Sequence, residues 1–138
     1  MEKLIITGGK KLGGEISVHG SKNAVLPIMA SALLIKGETV LHNVPNLSDV
    51  EASANILRRL GARVERKAST LIIDASSVTG NTIPEEMMRE MRSSIIFLGS
   101  LLSRCGEAWL CPPGGCDIGI RPIDLHISSL KKLGAQIT

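Results

Sequence analysis

Apolar and polar positions alternate or recur along this chain with enough regularity to predict most of its elements. "EISVHG" (Glu15–Gly20) alternates with the period of a strand. Ser21 can cap a helix carrying "NAVLPIMASALLI" and ending at Gly37, with Pro27 removing one backbone bond and bending its axis. "ETVLHNVP" reads as a strand stopped by Pro45. The clearest periodicity lies in "NLSDVEASANILRRLG". There Val50, Ala54, Leu57 and Leu60 fall on one face of a helix capped by Asn46 or Ser48 and ended by Gly61. "ARVERKASTLIIDAS" predicts a hairpin with "RKAS" at its turn. A long helix is expected from Pro84, suited to a first turn, to about Ser103. "EAWLCP" predicts a strand, "IDLHISSLKKLG" a helix, and "AQIT" the start of another strand.

These elements repeat. "SALLIKGETVLHNVP" (31–45) matches "SLLSRCGEAWLCPPG" (100–114), and "ILRRLGARV" (56–64) matches "SLKKLGAQI" (129–137) in the same order. Each unit reads helix, strand, loop, helix, strand, longer than the repeats of solenoids. The second unit stops where the first has "STLIIDAS", so a strand lacking its hairpin partner is expected there, as in a fragment. Exposed aliphatic edges of that kind predict partial disorder or self-association.

Composition narrows the class. The chain of 138 residues suffices for one modest core, and its apolar residues are almost all aliphatic, with one Trp, one Phe and no Tyr. That favours an α/β or α+β fold. Net charge is +3, with scattered basic residues and no aromatic platforms, which argues against nucleic acid and suits an anionic small molecule. The longest apolar run contains Pro27 and is too short to span a bilayer, and no leader pattern opens the chain. Three cysteines without a signal peptide predict reduced thiols in the cytoplasm. Cys111 and Cys116 lack the histidine pair that a zinc site would need, and no cofactor is implied.

Two segments carry candidate chemistry. "HGSKNA" ends a strand and opens a helix, whose free N–H groups and dipole, joined by the charge of Lys22, suit an anion. "CPPGGCDIGIRPIDLH" sets Cys116 in a segment stiffened by two prolines and loosened by three glycines, resembling a hinged lid. By composition alone, a lysine in a helix's first turn such as Lys22 is more often simply solvated, and Cys116 is equally an incidental exposed thiol.

"GSKNA", "MRSSI" and "PGGCDIGIRPIDLHI", in this order and spacing, resemble the UDP-N-acetylglucosamine enolpyruvyl transferases, which begin bacterial peptidoglycan synthesis. The resemblance covers essentially the whole chain. It implies two domains of three repeated units each in an inverted α/β barrel, of which this chain holds about two of six. Residues 1–20 would belong to the second domain and residues 21–138 to a partial first domain that bears the cysteine segment. It also implies that Lys22 contacts phosphoenolpyruvate and Asn23 the sugar nucleotide. Arg92 and Arg121 would hold anionic groups, and Arg121, Pro122, Ile123, Asp124 and Leu125 would line the nucleotide site. Cys116 would be the proton donor and the thiol alkylated by fosfomycin. The resemblance places a catalytic aspartate and a further arginine in the remainder of the chain, so these 138 residues alone are expected to be inactive. Two alternatives stand: a non-catalytic UDP-sugar-binding fragment or regulatory paralogue, and the shikimate-pathway enolpyruvyl transferase, which lacks the cysteine segment.

Overall fold

The structure is a computed structural model that describes residues 3–111 and 122–138. It is a mixed helix and strand fold, as the composition predicts, and no closed barrel is formed among the described residues. In chain order it contains α1 (Lys22–Ser31), β1 (Glu38–Leu41), α2 (Ser48–Arg59), β2 (Arg63–Lys67) and β3 (Thr70–Asp74). These are followed by β4 (Thr82–Ile83), α3 (Glu85–Glu90), α4 (Phe97–Cys105), β5 (Trp109–Leu110) and α5 (Asp124–Lys132). Short 3-10 turns cover Ala32–Leu34 and Arg92–Ile96.

The first unit forms an antiparallel sheet in the order β1-β3-β2. Leu71 and Ile73 of β3 point into the core, where Val50, Ala54, Ile56, Leu57 and Leu60 of α2 meet Leu26, Met29 and Leu33. The predicted α2 face is therefore the buried face. Gly61 takes a left-handed φ of 102° and turns the chain into β2, a conformation that costs glycine little. The β2–β3 turn is tighter than "RKAS": Lys67 pairs with Thr70, leaving Ala68 (φ 53°) and Ser69 as the loop. In the second unit α4, β5 and α5 follow one another in the chain as α1, β1 and α2 do, but β5 pairs in parallel with β4 and α5 buries no residue. Beyond β3, Asp74 Oδ1 accepts from Ser76 Oγ at 2.7 Å and Ser76 N at 3.0 Å. These bonds, helped by Arg63, hold its carboxyl below the usual carboxylate range.

Several expectations are corrected. Glu15–Gly20 forms no strand; Ile16 and Val18 are 90% and 82% exposed, and no described strand pairs with their alternating pattern. Residues 135–138 form no strand either, for the same want of a partner. The first helix ends at Ser31 and tightens into a 3-10 turn instead of running to Gly37. The residue capping α2 is Leu47, not Asn46 or Ser48, and Ser21 stands at the start of α1 without a side-chain cap bond.

The predicted Pro84–Ser103 helix is broken at Met91, whose backbone is extended (φ −133°, ψ 113°). That break buries Met91 to 1% exposure and lets Ser94 donate to the carbonyls of Met91 (through N, 3.0 Å) and Met88 (through Oγ, 3.2 Å). A serine hydroxyl that satisfies a backbone carbonyl in this way competes with continuous helix.

Candidate functional site

The starts of two helices meet at an ion pair in the first unit. Lys22 is the first residue of α1, and α1 packs against α2. Its ammonium donates to Asp49 Oδ2 of α2 at 2.5 Å, 27 residues away in sequence. Both ends of this contact follow from local structure. With no side-chain cap on Ser21, the N–H groups of Lys22 and Asn23 have no intrahelical acceptor. With Leu47 at the equivalent place before α2, the N–H groups of Ser48 and Asp49 are likewise left over, and a carboxylate is favoured there.

The approach that sets α1 in place is tight. A Cβ on Gly20 would stand 2.1 Å from the Asn43 carbonyl oxygen and 3.4 Å from Pro45 Cδ. Asn43 itself has a left-handed φ of 56°, and the segment it opens carries the chain into α2. Beside this junction lies a groove of about 280 Å³ between α1 and the end of β1, lined by Ser21, Ala24, Ile28, Val40, His42 and Asn43 among others.

The other expected residues fall as follows. Asn23 is exposed on the first turn of α1. Arg92 opens the 3-10 turn after the Met91 break, and that turn packs against α1, so the helix break brings the "MRSS" backbone toward the first unit. Pro122 precedes Ile123, which caps α5; Asp124 and Leu125 are its first residues, with Leu125 74% exposed. Leu125 and His126 face Ile95, Ile96 and Leu98 across an open groove of about 530 Å³. Cys116 and Arg121 lie outside the described residues. Asp49 is the residue that sequence reasoning missed. Its only local signal was an acidic side chain in a helix's first turn, and the contact comes from packing α1 on α2.

Among the described residues no three His, Cys, Asp or Glu side chains gather as a metal site would need. No described helix is long and apolar enough to cross a membrane.

The chain belongs to the family described as EPSP synthase (3-phosphoshikimate 1-carboxyvinyltransferase), which it matches over residues 6–138. Among its relatives, the UDP-N-acetylglucosamine 1-carboxyvinyltransferase of Chloroherpeton thalassium is 54% identical over 99% of the chain and 32% of its own length. The enzyme of that name from Methylacidiphilum infernorum is 52% identical, with 99% and 32% covered. UDP-N-acetylglucosamine 1-carboxyvinyltransferase 2 of Caldanaerobacter subterraneus is 48% identical, with 99% and 33% covered. The chain spans about a third of the length of these relatives. Its fold is similar to the crystal structure of the enolpyruvyl transferase NikO from Streptomyces tendae, with a TM-score of 0.62 and 24% identity over 70% of this chain and 23% of that one.

Proposed function

We propose that these residues form the N-terminal part of a cytoplasmic transferase that moves the enolpyruvyl group of phosphoenolpyruvate to the 3-hydroxyl of UDP-N-acetylglucosamine, releasing phosphate for peptidoglycan synthesis. The observation that carries the reading is local: the Lys22 ammonium stands at two converging helix starts, a setting that favours an anion. The name shared by relatives 44–54% identical supports the choice of acceptor.

In this reading Lys22 takes phosphoenolpyruvate, and Asn23 and Arg121–Leu125 take the sugar nucleotide. Arg92 offsets negative charge on the substrates. Cys116 delivers a proton to the methylene carbon, which leaves positive character on C2 for the sugar hydroxyl to attack as it gives its proton to the aspartate expected in the remainder of the chain; phosphate then departs as the methyl group loses a proton. Carbon–oxygen bond formation is thus balanced by carbon–oxygen cleavage, with no redox step. Fosfomycin, by the same reading, alkylates the Cys116 sulfur. Residues 1–20, with Leu4, Ile5, Ile6 and Leu12 all exposed, fit a segment that completes a second domain, while residues 21–138 belong to the first. Without the remainder these residues do not turn over.

The family's own description favours a second acceptor, 3-phosphoshikimate. Phosphate release from phosphoenolpyruvate by the full-length protein separates the two. Release that depends on UDP-N-acetylglucosamine is expected; release with 3-phosphoshikimate instead transfers the chain to the shikimate reaction. Binding of the sugar nucleotide without any release leaves a binding module only.

A further inference from the structure

Asp49 has no part in the reaction as described, yet it is the described side chain that touches Lys22. Stability does not explain the contact. The lysine side chain is 49% exposed and the aspartate 28%, and ion pairs this open contribute about 0–1 kcal/mol. The pair also restrains a four-carbon stem that is otherwise free to explore many rotamers.

The two partners are not equally mobile. Asp49 is the second residue of α2, a 12-residue helix whose inward face, Val50, Ser53, Ala54 and Leu57, is buried, and its carboxylate sits where the helix dipole favours negative charge. Lys22, by contrast, is the opening residue of α1 with no cap bond behind it. The anchored carboxylate therefore fixes the ammonium. An ammonium has three donors, and Asp49 accepts one, which leaves two N–H groups for an incoming anion.

We propose that Asp49 is a positioning residue for Lys22: it holds the ammonium at the junction of α1 and α2 before phosphoenolpyruvate arrives, so that the anion does not bear the ordering cost. The inference rests on the reading of Lys22 given above. A mere counter-ion predicts the reverse, since removing it would release Lys22 and tighten anion binding.

The test uses the full-length enzyme with Asp49→Ala, Asp49→Asn, Asp49→Glu, Lys22→Ala and the Lys22→Ala/Asp49→Ala double variant, following KM for phosphoenolpyruvate and for UDP-N-acetylglucosamine separately. Asp49→Ala is expected to raise KM for phosphoenolpyruvate about tenfold, with KM for the sugar nucleotide within about twofold of wild type. Asp49→Glu, which keeps the charge, is expected to recover most of the loss. In the Lys22→Ala background, removing Asp49 is expected to add nothing, a non-additivity that a purely structural role would not produce. Should Asp49→Ala fold poorly, the nearly isosteric Asp49→Asn carries the same comparison. A lowered or unchanged KM in the Asp49 variants, with Lys22→Ala still impaired, overturns the proposal and leaves the Lys22 reading intact. Normal kinetics in Lys22→Ala removes both.

Discussion

Phe97→Ala is expected to destabilise the protein by about 3–5 kcal/mol, the largest single loss available in this core. Phe97 is the chain's one phenylalanine, is fully buried, and is the first residue of α4 where the broken helix resumes. The surrounding cluster is aliphatic apart from methionines, so no neighbouring ring can swing into the space left behind. Against a total stability of roughly 5–15 kcal/mol, such a loss removes a large share of the folded population. Trp109, the bulkier ring, makes the contrast: it is 62% exposed on β5, and Trp109→Ala should cost far less. Denaturant midpoints of the two variants check the ranking, and similar shifts for both would show that Phe97 is no more central to the core than Trp109.

Gly20→Ala is expected to cost about 1–3 kcal/mol and to impair phosphoenolpyruvate use beyond that loss. The added methyl would meet the Asn43 carbonyl oxygen at 2.1 Å, a backbone group that no side-chain rotation can clear, so one segment must move. Gly20 directly precedes Ser21 and Lys22, whereas Asn43 leads toward α2, so the displacement falls on the two helix starts that meet at the ion pair. Gly37→Ala is the control, because a Cβ there meets nothing within 4 Å and is expected to leave stability nearly unchanged. Equal, small effects from both substitutions would mean that the close approach does not set α1 in place.

What could be read from the chain alone follows from how local each determinant is. The α2 face was legible because four apolar residues at helical spacing all point to one core, and the tandem matches anticipated the order helix, strand, helix in α4, β5 and α5, though not the pairing or burial of those elements. The Met91 break was not legible. Helix-forming residues run through it, and the extended turn arises because Met91 and Ser94 both find buried places, a tertiary outcome that "SS" only hinted at. The alternation in Glu15–Gly20 was real, but a strand needs a neighbour, and none stands beside it among the described residues. At the site, Lys22 and Asn23 were singled out by their place at a helix start and by family resemblance. Asp49 could not be, because nothing within α2 announces that α1 will deliver an ammonium to it.

The most direct test concerns that ammonium. Phosphoenolpyruvate affinity should be measured by calorimetry on the full-length protein with a 3-deoxy analogue of UDP-N-acetylglucosamine bound, which cannot accept the enolpyruvyl group, comparing wild type with Lys22→Ala. Loss of a charge-assisted contact is expected to weaken binding about 10- to 150-fold, with the sugar nucleotide's own affinity retained. Undiminished phosphoenolpyruvate binding in Lys22→Ala would contradict the assignment of the converging helix starts as the anion site.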